Sequence, residues 1–159
     1  RSTLFPYTTL FRSSYKYEIE KVNCSSIVEK LNKEKQTYKD EVVAKRGLLD
    51  KIVILQFDSY KKFYCFFEDV SNNCREVVKK HNCKRVLFCV MVDSMSENVL
   101  EQQQKILMFD KEFNLENISY EALFIDRDTN IGYFGGMKEK GKTLLYKDTM
   151  KLLLEYNPV

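Results

Sequence analysis

The stretch "LFIDRDTN" at 123–130 places Asp126 and Asp128 two residues apart at the end of an apolar run. Alternate residues of an extended segment share a face, so both carboxylates can point the same way. "FYCFFED" at 63–69 offers a further pair, Glu68 and Asp69. Asp126, Asp128 and Glu68 held close would repel one another unless a cation neutralised them. Mg²⁺ is the fitting cation, because it takes oxygen ligands and keeps water or phosphate in its shell. "DRDTN" is equally good turn chemistry, and the residues alone do not choose between the two.

The surrounding pattern supplies elements to carry these acids. "KIVILQF" (51–57), "FYCFFE" (63–68), "KRVLFCVMV" (84–92) and "YEALFID" (120–126) are short apolar runs and read as strands. "SNNCREVVKKHN" (71–82), "SENVLEQQQKILMFDKEF" (96–113) and "KTLLYKDTMKLLLEY" (142–156) read as helices, as does the polar stretch 25–47, with Gly47 as its stop. From residue 63 the order is strand, helix, strand, helix, strand, helix. Continuously apolar strands in that order predict an α/β fold with a mainly parallel sheet covered on both faces. Such sheets place their chemistry at the carboxyl ends of the strands.

The order of these motifs resembles the Toprim fold, a Rossmann-like arrangement found in topoisomerases, primases and overcoming-lysogenization-type nucleases. The resemblance covers about residues 60–130. It is closer still to an uncharacterised bacterial group of Toprim-like proteins, some of which adjoin ATPase genes. It rests on "CFFED", "SENVLE" and "LFIDRD". It implies Glu68 as general acid/base, Asp126 and Asp128 as Mg²⁺ ligands, and phosphodiester cleavage in nucleic acid. It also implies an alternative, a catalytically degenerate module that partners an ATPase. The sequence departs from the pattern where the family has Gly and Lys after the glutamate, since Asp69 and Val70 stand there. The later Gly-Lys pair is Met95-Ser96, although Asn98-Val99 fit.

Two other signals compete. "GMKEKGKT" at 136–143 has the letters of a P-loop, but Glu139 would sit where phosphates bind, and a charged surface turn is the simpler account. "VDSMSENVLEQQ" (92–103) is similar to the start of a serine recombinase, without the arginine that family has before the serine. A capped helix start accounts for it more simply.

At the amino end, "TLFPYTTLFRS" (3–13) is similar to the translation of a sequencing adapter, with every residue matching. Residues 1–13 are therefore set aside as non-native. Residues 14–50 are expected to be a helical region, and 51–159 a Toprim-like domain that is a piece of a longer gene. Without Arg1 and Arg12 the chain has 24 basic and 23 acidic residues, so charge alone gives no case for nucleic acid. Five cysteines, an odd number without regular spacing, predict a reducing cytoplasm. No apolar run approaches the length of a membrane span.

Overall fold

The structure is a computed structural model that describes residues 15–38, 41–48, 50–101, 103, 118–139 and 146–158. The adapter-like segment, residues 102 and 104–113 of the expected helix 96–113, and Lys140–Leu145 lie outside the described residues.

The described chain is an α/β fold built on one seven-stranded sheet. Its elements in order are β1 (Tyr15–Asn23), α1 (Ser25–Tyr38), β2 (Glu41–Arg46), β3 (Asp50–Phe57), α2 (Tyr60–Phe67) and α3 (Val70–His81). Then come β4 (Arg85–Val92), β5 (Ser119–Asp126), β6 (Ile131–Glu139), α4 (Tyr146–Glu155) and the short β7 (Asn157–Pro158). Residues 97–101 and 103 are also helical. The strand order is β1-β6-β5-β4-β3-β2-β7.

The sheet is mixed rather than mainly parallel. Only the β3–β4 and β4–β5 pairs are parallel, while β1–β6, β5–β6, β2–β3 and β2–β7 are antiparallel. Two tight turns account for two of these reversals. Gly47, at φ 67, turns β2 into β3, and Asn130, at φ 57, leads β5 into β6. Such left-handed positions suit Gly and Asn and close hairpins rather than crossovers.

Residues 15–46, expected to be helical, hold α1 between two strands, and both strands join the common sheet. In "EVVAKR" Val42 and Ala44 are buried while Val43 and Lys45 are more exposed, the period-two pattern of a strand.

The run "FYCFFE", expected as a strand, folds differently. This run is helix α2, not a strand. The Ser59 Oγ accepts the Lys62 N–H at 3.2 Å and caps the helix start. Tyr60, Phe63 and Phe67 recur at helical spacing, and Phe63 is fully buried while Tyr64 and Cys65 are exposed. Phe63 meets Phe57, Phe88 and Phe124 at centroid separations of 5.3, 5.4 and 5.6 Å. Those edge-on aromatic contacts fix α2 against the sheet.

Alternate strand residues feed two cores. Val53, Leu55, Val86, Phe88, Val90 and Phe124 face α2 and α3. Ile52, Ile54, Leu87, Cys89, Leu123 and Ile125 face α1 and α4. The central strand β4 is buried on both sides, as its unbroken apolar sequence predicts. Among the described residues no helix is long and apolar enough to cross a membrane.

Candidate functional site

Strands β3, β4 and β5 run side by side and end together at one edge of the sheet. Asp58 follows β3, Asp93 follows β4, and Asp126 and Arg127 mark the end of β5.

Asp126 is taken up by the backbone around it. Its Oδ1 accepts the N–H of Asp128 at 2.9 Å and of Thr129 at 3.3 Å. Its Oδ2 accepts the N–H of Met95, in the loop after β4, at 3.3 Å. Desolvation raises this carboxyl's pKa, but the three backbone donors outweigh it, so the group lies below the ordinary Asp value. Asp126 thus builds the turn after β5 and ties it to the loop after β4.

Arg127 straps the three strand ends. Its Nε donates to Asp93 Oδ1 at 3.3 Å, and an Nη2 hydrogen goes to the backbone oxygen of Asp58. Its own N–H bonds Val92 O at 2.8 Å.

Glu68 is elsewhere. It caps the carboxyl end of α2, is exposed, and donates its N–H to Tyr64 O at 3.0 Å. Asp69 next to it opens α3 and accepts from the Asn72 side chain at 3.1 Å. The expected trio is therefore split: Asp126 and Asp128 share a turn, and Glu68 occupies a corner between two helices. Among the described residues no three His, Cys, Asp or Glu side chains converge as a metal site requires. As placed here, Glu68, Asp126 and Asp128 do not come together as the Toprim resemblance implies for a Mg²⁺ site. The residues of the P-loop letters that the structure describes, Gly136–Glu139, lie in β6 and pair with β1, which is ladder rather than phosphate cradle.

Beside the strand ends lies a cavity of about 260 Å³, roofed by α1. Its apolar lining is Val28 and Leu31 from α1, with Phe57, Cys89 and Met91 from the sheet. Its polar lining is Asn32, Gln56, Asp58, Arg127 and Asn130. The Nε2 of Gln56 is itself buried, without a hydrogen-bond partner. The Cys89 thiol is no nucleophile: burial, aided by nearby Cys24, pushes it up to about 12. α1 reaches this position because Gly132 lets Cys24 approach β6. A Cβ at Gly132 would stand 2.3 Å from the Cys24 Sγ.

A buried acid lies further back on β5. Glu121 is 1% exposed, and both of its carboxylate oxygens lie 2.8 Å from the Thr149 hydroxyl of α4. Arg85 donates to that hydroxyl and reaches Glu121 Oε1 at 3.5 Å. Burial raises the Glu121 carboxyl, opposed by Thr149 and Arg85.

The reading from sequence found the edge through Asp126 but missed the cavity. One signal was present: Gln56 is the polar residue that interrupts "KIVILQF". Comparison with known proteins matched no family model, no curated protein and no solved structure.

Proposed function

We propose that this protein is a binding module, Toprim-like in the order of its motifs, whose strand-end edge holds a small ligand instead of cleaving phosphodiesters. The observation that carries this reading is the cavity of about 260 Å³ under α1, which opens beside the strand ends and is lined by apolar side chains together with Asn32, Gln56 and Arg127. The position agrees with the general rule that open α/β sheets bind ligands beyond the carboxyl ends of their strands. The departures at Asp69, Val70, Met95 and Ser96 point the same way, because they remove glycine and lysine from the phosphate-handling positions.

A screen of small fragments by ligand-observed NMR tests the reading. Val28→Trp fills the cavity from α1, and the account expects fragments that bind the wild type to be lost in this variant. Fragments that bind both proteins alike would overturn it.

A Mg²⁺-dependent phosphodiesterase acting on nucleic acid through Glu68, Asp126 and Asp128 is the second reading. What favours it is an aspartate held ionised at a strand end. It expects turnover of a phosphodiester with Mg²⁺ or Mn²⁺ that Asp126→Asn and Glu68→Gln abolish. Absence of turnover in the wild type would remove it.

A further inference from the structure

We infer that helix α4 is a pH-dependent flap, docked most tightly while Glu121 carries a proton and released at its amino end as Glu121 ionises.

The geometry around one hydroxyl carries the inference. Both carboxyl oxygens of Glu121 lie 2.8 Å from Thr149 Oγ1. A hydroxyl has a single hydrogen to donate. An ionised Glu121 receives it on one oxygen only, and its other oxygen faces a lone pair at hydrogen-bond distance. A protonated Glu121 removes that conflict. The hydroxyl donates to one carboxyl oxygen and accepts the O–H of the other. Its second lone pair then remains for the Arg85 Nη2 hydrogen that reaches it.

Charge points the same way. Glu121 is 1% exposed, so ionising it in place costs desolvation. Among the described residues, the charged groups acting on it are Arg85 of β4 and Asp148 of α4, and they oppose each other. Arg85 stands 3.5 Å from Oε1, beyond the usual hydrogen-bond range, because its Nη2 is engaged by the hydroxyl. Burial accordingly raises the carboxyl above its ordinary value. The stabilisation is therefore complete below about 4.3 and is lost as pH rises through the folded value.

The far end of α4 is held by other means. Lys30 of α1 donates its Nζ hydrogens to Leu154 O at 3.3 Å and Tyr156 O at 2.8 Å. Arg46 pairs with Glu155 at 3.7 Å, and β7 pairs with β2. None of these contacts involves Glu121. Leu152 and Leu153 are buried between the two anchors. Loss of the Thr149 anchor thus frees the first turns of α4 about a hinge at 154–158, and water then reaches the carboxylate.

Amide hydrogen exchange of the full chain at pH 4 and pH 7.5, corrected for the intrinsic rates, tests the flap. The amides of residues 150–153 bond back to the first turn of α4. From pH 4 to pH 7.5 their protection should fall by about tenfold or more relative to that of the β4 amides. In Glu121→Gln the fall should be absent, because its side chain is neutral at both pH values. A second readout needs no variant. The Glu121 carboxyl carbon, followed by NMR, should titrate above about 4.3 and in step with the loss of protection. The inference is overturned if residues 150–153 follow β4 at both pH values, or if Glu121→Gln loses protection as the wild type does. A Glu121 that titrates at its ordinary value, or out of step with α4, overturns it equally.

Discussion

Two carboxylates five residues apart on β5 have opposite fates. Asp126, at the strand's end, receives three backbone N–H groups and is held ionised. Glu121, inside the sheet, is buried against α4 and has its proton affinity raised, with one hydroxyl and one arginine to oppose that. The same functional group on the same strand thus does two structural jobs. One shapes the edge beside the cavity; the other fastens a helix across the sheet. An acid at a strand end is therefore not in itself a catalytic acid, and what distinguishes the cases is who donates to it.

The comparison breaks most severely at Arg85. Arg85→Met leaves Glu121 buried beside Thr149 without its cation, and removing one partner of a buried pair costs about 3–5 kcal/mol. Chemical denaturation at pH 7 should show this loss. It should shrink as pH falls, because the raised Glu121 carboxyl takes up its proton earlier than an ordinary one. An effect near zero would mean that the arginine side chain is solvated and the network is not a unit.

Glu121→Gln sharpens the contrast through its sign with pH. The folded carboxyl binds its proton more tightly than the unfolded one, so its contribution is most favourable in acid. That contribution is lost as pH rises above the ordinary Glu value of about 4.3. Asp126 has the opposite sign, because its folded pKa is depressed. Its contribution is complete above about 3.9 and disappears as pH falls through the folded value. Relative to the wild type, Glu121→Gln should therefore gain stability between pH 4 and 7. A pH-independent difference would contradict the burial of this acid.

The smallest effects are expected at the remaining acids. Glu68→Gln and Asp128→Asn alter exposed side chains and should each shift stability by no more than about 0.5 kcal/mol. A larger loss at Glu68, measured by thermal melting, would give that residue a role that its helix corner does not show.

Much of this architecture was readable from periodicity. β3, β4, β5 and α3 lie where apolar runs and caps place them, because long apolar segments between turn residues leave few alternatives. "FYCFFE" was not readable in this way. A six-residue aromatic run satisfies strand and helix alike, and what decides is the Ser59 cap together with packing of Phe63 on Phe88 and Phe124. β2 was hidden because its polar surroundings blend into the end of α1. Reading α2 as a strand moved Glu68 to a strand end that it does not occupy, and the expected trio rested on that placement. The cavity could not be read at all, since it arises where α1, β3 and β4 meet and those residues are far apart in the chain.

The central claim is that Asp126 organises the edge through backbone hydrogen bonds. Thermal unfolding of wild type and Asp126→Asn, each with and without millimolar Mg²⁺, tests it most directly. An asparagine keeps one acceptor but cannot accept from Asp128, Thr129 and Met95 with a full charge. The account predicts a loss of about 1–2 kcal/mol, a drop of several degrees in Tm, identical with and without Mg²⁺. A metal-free variant as stable as the wild type, together with a Mg²⁺-dependent rise in Tm confined to the wild type, would contradict it.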